Sequence, residues 1–184
     1  MLAGVAGTQP LETDDAIVLV LGAPGSTDPQ GYLAGVTRLE KLIFLLERET
    51  PVRDWMTDKA DFRSWRFGPF SSKVYEAADT LAAAGLIRDS ASNAPNTEDR
   101  WESLGALMDE GDVDPYTTRT FELTDRGSRY YAALLAELPT GAEQILTDFK
   151  RKFARLPLRQ LVRYVYQRYP QYTDKSEIRD QILG

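Results

Sequence analysis

SSKVYEAADTLAAAGLI (residues 71–87) and RTFELTDRG (residues 119–127) decide how this chain folds. In the first, Val74, Ala77, Ala78 and Leu81 recur at helical spacing, and Gly85 is the stop after which Leu86-Ile87 starts a strand. In the second, Phe121 and Leu123 alternate with Glu122, as in a half-buried strand. Thr124 then suits the N-cap of a helix carrying Tyr130, Tyr131, Leu134 and Leu135. The order is helix, strand, long loop, strand, helix. Two short strands joined in that way pair antiparallel above the helices, which is the wing of a winged helix-turn-helix. The loop between them, residues 88–118, exceeds an ordinary hairpin connection. Trp101, Leu104, Leu107 and Met108 predict one short helix within it.

Working outward, residues 1–10 read as a loose terminus. Thr13 or Asp14 is placed to cap a helix reaching about Leu21, and GAPGSTDP then makes residues 22–35 a loop. Thr37 is the expected cap of RLEKLIFLLERE, where Leu39, Leu42, Ile43 and Leu46 set a helical stripe that Phe44 and Leu45 widen. Pro51 ends it. In FRSWRFGPFSSKVY (residues 62–75), Gly68-Pro69 predicts the turn, and Ser71 or Ser72 the next cap. Beyond Pro139, residues 141–153 form a helix with Ile145, Phe149 and Phe153 on one side. Pro157 opens another with Leu158, Leu161, Val162, Val165 and Tyr169 as its stripe, and Pro170 closes it. Thr173 or Asp174 caps a last short helix through Ile182. The expected class is mainly α with a small β-hairpin (α+β). A flexible 1–10 precedes a winged-helix-like domain at 11–138, with its wing loop at 88–118. A C-terminal helical extension, 139–184, packs on that domain.

Composition narrows the chemistry. The 184 residues contain neither cysteine nor histidine. Thiolate chemistry is excluded, and so are the commonest general base and the preferred zinc ligands. Ser71 and Ser72 therefore have no histidine to activate them. No apolar run approaches the length of a membrane span, and the N-terminus lacks the basic region of a signal peptide, so a cytoplasmic protein is expected. No enzyme, cofactor or metal site is expected either. Asp109, Glu110, Asp112 and Asp114 crowd one loop but miss the EF-hand spacing, and read as a solvated acidic segment.

Net charge is −6 but unevenly distributed. Residues 149–184 carry nine Lys/Arg against three Asp/Glu, a net +6 that leaves −12 for the rest. Such asymmetry points to a partner. Lys150, Arg151, Lys152, Arg155, Arg159, Arg163 and Arg168 follow one another with no acid among them, and Tyr164 and Tyr166 interleave. That pattern suits phosphate neutralisation, with Lys73 and Arg66 assisting. The competing account is a solvated face, or pairing with the acidic body. By contrast, the outward positions of helix 71–84 should be Ser72, Lys73, Glu76, Asp79, Thr80 and Ala83. They carry little of the chemistry that reads a major groove. Trp65, Phe67, Phe70 and Tyr75 are either core or a surface for another protein.

GVTRLEKLIFLLERE, FRSWRFGPFSSKVYEAADTLAAAGLI and FELTDRG also carry a resemblance. Leu39, Lys41 and Leu42 form a Leu-x-Lys-Leu helix motif; Trp65, Gly68, Pro69 and Tyr75 form a Trp…Gly-Pro…Tyr segment. In these the chain resembles the prokaryotic YwgA-type proteins and, more distantly, the Panacea domain of SocA-like antitoxins, loosely over residues 13–183. The resemblance implies a helical, winged-helix-like fold and no catalysis. The long acidic segment 88–118 departs from a compact wing.

The resulting expectation is a non-enzymatic winged-helix regulatory protein touching nucleic acid through its basic C-terminal helices. The alternative is an antitoxin- or adaptor-like module that binds another protein. A homodimer is compatible with either.

Overall fold

The computed structural model describes residues 10–90 and 119–184. The helix expected around Leu104 and the acidic cluster at 109–114 lie outside these residues. So do residues 1–9 and most of the wing loop.

The fold is mainly α with small antiparallel sheets. Helix α1 (Thr13–Gly22) lies at the centre, and Ala16 to Leu21 are at most 1% exposed. It is apolar on every side because it is covered on every side, as expected of a central helix. Its cap is Glu12 rather than Thr13 or Asp14. Glu12 and Asp15 form a reciprocal capping box, with the Glu12 N–H donating to Asp15 Oδ2 at 2.9 Å.

Strand β1 (Tyr32–Ala34) falls inside the expected 22–35 loop. Three residues without clear alternation give no strand signal of their own, so only the partner strand defines it. Helix α2 (Val36–Glu49) then starts from Gly35 (φ 100°), whose N–H donates to the Arg119 carbonyl at 2.8 Å. Thr37 is therefore inside the helix and fully buried, not its cap. A short α3 (Val52–Trp55) follows.

Strands β2 (Arg63–Trp65) and β3 (Gly68–Phe70) make a hairpin whose turn is Arg66-Phe67, two residues before the expected Gly68-Pro69. Gly68 has a different task. A Cβ there would lie 2.6 Å from Cε1 of Tyr166, so the glycine lets the hairpin close on that ring. Helix α4 (Ser72–Ala83) leads to β4 (Ile87–Asp89). Strand β5 (Thr120–Leu123) leads to α5 (Asp125–Glu137), capped by the Thr124 hydroxyl, which accepts from Gly127 N at 3.0 Å. The sheet order is β1-β5-β4, all antiparallel. Ile87 faces Leu123, Asp89 faces Phe121, and Leu33 faces Phe121 from the other side.

Helices α6 (Ala142–Phe153), α7 (Leu158–Arg168) and α8 (Arg179–Leu183) complete the chain. α6 buries Leu146, Phe149 and Phe153 rather than Ile145. α7 buries Leu161, Val162, Val165 and Tyr166, while Tyr169 stays half-buried. The hydrophobic core runs without interruption from α1 to α8, so residues 139–184 share it with the rest. Among the described residues no helix is long and apolar enough to cross a membrane.

A buried polar network fastens the hairpin to α2. Lys41 Nζ donates to the Pro69 carbonyl at 2.8 Å and lies 3.4 Å from Glu40 Oε2. Glu40 Oε1 accepts from Ser71 N at 2.8 Å, and the Ser71 hydroxyl donates to the Ala60 carbonyl. Glu47 Oε1 accepts from Ala60 N at 2.8 Å. Ser71 thus stands at the N-cap position of α4 but spends its hydroxyl elsewhere. Buried charge survives only when paired and bonded in this way.

Candidate functional site

Docking of α6 and α7 buries Lys150 and leaves the other C-terminal cations exposed or half-exposed. Arg38 of α2 fixes the α6–α7 turn. Its Nη1 donates to the Leu156 carbonyl at 2.7 Å and to that of Ala154 at 3.4 Å. With the apolar stripes turned inward, Arg151, Arg155 and Arg163 are exposed and Arg159 is half-exposed. Arg155 Nε donates to the Gly25 carbonyl at 2.8 Å and Arg159 Nη2 to that of Gln181 at 3.1 Å. Both use one donor and keep the rest of the guanidinium fork, which carries five. Arg151 is 3.9 Å from Asp148, a loose exposed pair. Arg159 and Arg163 stand one turn apart on one face of α7.

The other expected phosphate contacts fare differently. Lys150 is 1% exposed, with its ammonium turned to the Leu21 carbonyl at 3.4 Å. This corrects the sequence expectation: Lys150 caps the C-terminal end of α1, where a cation is favoured, and does not reach solvent. Lys152 and Arg168 converge on Glu49, at 4.0 and 3.9 Å. The same carboxylate accepts from the hydroxyls of Tyr164 at 3.1 Å and Tyr169 at 2.6 Å. Tyr166, which interleaves with the basic run, is 1% exposed and shares a hydrogen bond with Ser176 at 2.8 Å. Arg66 lies 3.5 Å from Glu177. Lys73 is held between Asp58 and Asp61, both at 2.7 Å, and these hydrogen bonds raise its pKa.

Helix α4 presents Ser72, Glu76, Asp79, Thr80 and Ala83 to solvent, as its pattern predicts. With Lys73 clamped by two carboxylates, that face is acidic. At its edge Asp79 Oδ1 is 3.3 Å from Arg119 Nη2, which also bonds Asp89 at 2.6 Å. The Arg119–Asp89 pair joins β5 to β4 and is buried. It had no local signal in the sequence, because its partners are thirty residues apart.

The aromatic segment divides as well. Trp65, Phe70 and Tyr75 form a partly exposed row, with ring centroids 6.1 and 5.6 Å apart, and Trp65 is 38% exposed. Phe67, in the hairpin turn, leaves the group, being buried at 6% exposure. Arg63 joins it, its guanidinium 4.9 Å from the Trp65 ring and 5.5 Å from that of Phe70. The signal was available: Arg63 and Trp65 are two apart on one strand, and so share a face.

Among the described residues no group of carboxylates is placed to hold a metal ion. The arrangement offers two chemistries: arginine forks suited to phosphate oxygens, and a cation-faced aromatic row suited to another chain. Comparison of the chain with models of known protein families gives no match, and comparison with curated proteins gives none either.

Proposed function

We propose that this chain is a cytoplasmic, non-catalytic protein of winged-helix type that contacts nucleic-acid phosphates through Arg151, Arg155, Arg159 and Arg163. The winged-helix reading is supported by the element order α1-β1-α2-α4-β4-β5, with β5 central in the sheet and the β2–β3 hairpin inserted between α2 and α4. The observation that carries the nucleic-acid reading is the sorting of the cations. Asp58 and Asp61 hold Lys73, and Lys150 is buried, while Arg155, Arg159 and Arg163 have no carboxylate partner among the described residues and Arg151 has only the long contact to Asp148, as loose as those of Lys152 and Arg168 to Glu49. The acidic face of α4 argues against base reading by that helix, so positioning on the backbone is the expected mode. The role proposed for such contact is regulatory.

The test is binding of a labelled duplex across a salt series. Arg155→Gln, Arg159→Gln and Arg163→Gln combined should weaken it steeply and lower the slope of log K against log salt by roughly 2.7, at about 0.9 per phosphate contact. Unchanged affinity and slope would remove this reading.

A second reading rests on the Trp65–Phe70–Tyr75 row: a protein partner gripped by an aromatic surface, as the antitoxin-like resemblance suggests. Exposed Trp, Tyr and Arg are the residues that dominate protein interfaces. Trp65→Ala would then abolish copurification of a stoichiometric partner while leaving duplex binding intact.

A further inference from the structure

The Trp65–Phe70–Tyr75 row differs from the interior aromatics in how its rings meet. Around Phe44, the rings of Phe62, Tyr169 and Tyr172 stand at interplanar angles of 85°, 88° and 74°, edge to face. In the row the angles are 37° and 34°, so neighbouring rings turn their faces in similar directions. Two guanidinium groups lie by those faces. Arg63 is close to both Trp65 and Phe70, and Arg66 is 5.9 Å from the Trp65 ring. Arg63 and Phe70 are register partners across the hairpin, which puts them on one face of it. Arg63 is exposed and has no carboxylate within ion-pair distance among the described residues. The hairpin beneath is already fixed. Lys41 donates to the Pro69 carbonyl at 2.8 Å, Glu177 N to the Arg66 carbonyl at 2.8 Å, and Lys175 N to Ser64 Oγ at 3.2 Å. Little ordering cost is left for a ligand to meet.

We propose that the β2–β3 hairpin and Tyr75 form a stacking platform for the unpaired bases of a single-stranded nucleic acid, with phosphate held at the Arg63 end. A ring face takes a base, and an unneutralised guanidinium beside it takes the phosphate. In a duplex the base faces are already stacked on one another, so unpaired bases are the ones that can use the row. Every nucleotide carries both groups, whereas a protein would have to bring a carboxylate and apolar side chains together. The row therefore favours nucleic acid over a protein. Glu76 and Asp79, exposed on α4 beyond Tyr75, repel phosphate, which puts the backbone on the Arg63 side. The platform uses none of the arginines of α6 and α7 and does not depend on their contact with a duplex.

The experiment is fluorescence anisotropy of the full chain with a labelled oligothymidylate, across a salt series. An abasic oligomer of the same length and charge is the control. Oligothymidylate should bind roughly tenfold more tightly than the abasic oligomer, as one stacked base is lost with the control. Trp65→Ala should erase that difference and Trp65→Phe should keep most of it, with circular dichroism confirming that both variants fold. Arg63→Gln should weaken both oligomers and lower the slope of log K against log salt by about 0.7, the single-strand value per phosphate. Arg155→Gln, Arg159→Gln and Arg163→Gln combined should leave the preference for bases unchanged, so failure here and failure of the duplex reading are told apart. Oligouridylate is a second arm, and the tighter of the two names the sugar. Equal binding of the thymidylate and abasic oligomers, or a preference that Trp65→Ala leaves intact, overturns the proposal. A stoichiometric protein partner lost with Trp65→Ala, with no preference for bases, gives the row to protein instead.

Discussion

Lys41 and Lys150 are both 1% exposed, yet the structure treats them in opposite ways. Lys41 sits in α2 between the Glu40 carboxylate and the Pro69 carbonyl, in a network that also bonds Ser71 and Ala60. Lys150 sits in α6 with a single 3.4 Å contact to a helix-end carbonyl. Burial pushes its pKa down to about 8, opposed only by the distant charge of Asp28. Equal burial therefore says nothing about whether a charge holds a fold together. Its partners decide that: a lysine paired with a carboxylate fastens one element to another, and one held by a single long bond to a carbonyl is a standing cost.

The strongest way to break this contrast is to remove each lysine. Lys41→Met leaves Glu40 buried without its cation, and should cost about 3–5 kcal/mol in urea unfolding. Lys150→Met removes a charge that folding penalises, and should add up to about 3 kcal/mol at pH 7, since a tenfold change in proton affinity corresponds to about 1.4 kcal/mol. The sign follows from linkage. The folded pKa is depressed, so the unfolded chain binds more protons between about 8 and the usual lysine value. Wild-type stability should therefore rise across that window, and the advantage of Lys150→Met should shrink to nothing above it. A loss of stability in Lys150→Met at neutral pH would show that capping of α1 outweighs desolvation.

Glu47 sharpens the comparison from the acidic side. Burial raises its pKa, opposed by the bond from Ala60 N. The folded state then binds the proton more readily, so this group contributes added stability as pH falls through its folded pKa towards the ordinary glutamate range. Glu47→Gln keeps an acceptor for Ala60 N. It should change stability by about 1 kcal/mol and flatten that part of the pH profile, read by thermal melts from pH 7 to 4. The smallest effect is expected at Arg163, exposed and without a carboxylate partner among the described residues. Arg163→Gln should leave unfolding within about 0.5 kcal/mol of wild type. It tests the arginine face free of any structural effect.

Legibility in the sequence followed locality. The stripe Val74, Ala77, Ala78 and Leu81 faces inward as its spacing requires, and Phe121 and Leu123 alternate with Glu122 in a real strand paired with Ile87–Asp89. Thr124 caps α5 through its hydroxyl, a contact that spans three residues. Each of these is set within one or two turns of chain. β1 was missed because three residues become a strand only through β5, ninety residues away. The Arg66-Phe67 turn was missed because Gly68 answers to the Tyr166 ring rather than to the hairpin.

The candidate site divides along the same line. An unbroken run of cations from Lys150 to Arg168 was plain, and so was the lack of cysteine and histidine that removes whole classes of chemistry. Which of those cations reach solvent was not, since neighbours in sequence such as Lys150 and Arg151 fall one on the buried and one on the exposed face of the same helix. Composition and periodicity determined an α+β chain with an acidic body and a basic end. Tertiary packing alone decided that Glu49 gathers two of the cations, that Lys150 is buried against the end of α1, and that Arg155, Arg159 and Arg163 are left without a carboxylate among the described residues. The physical reason is that a charge's pairing depends on groups brought near by folding, whereas an apolar stripe is written into the spacing of the chain itself.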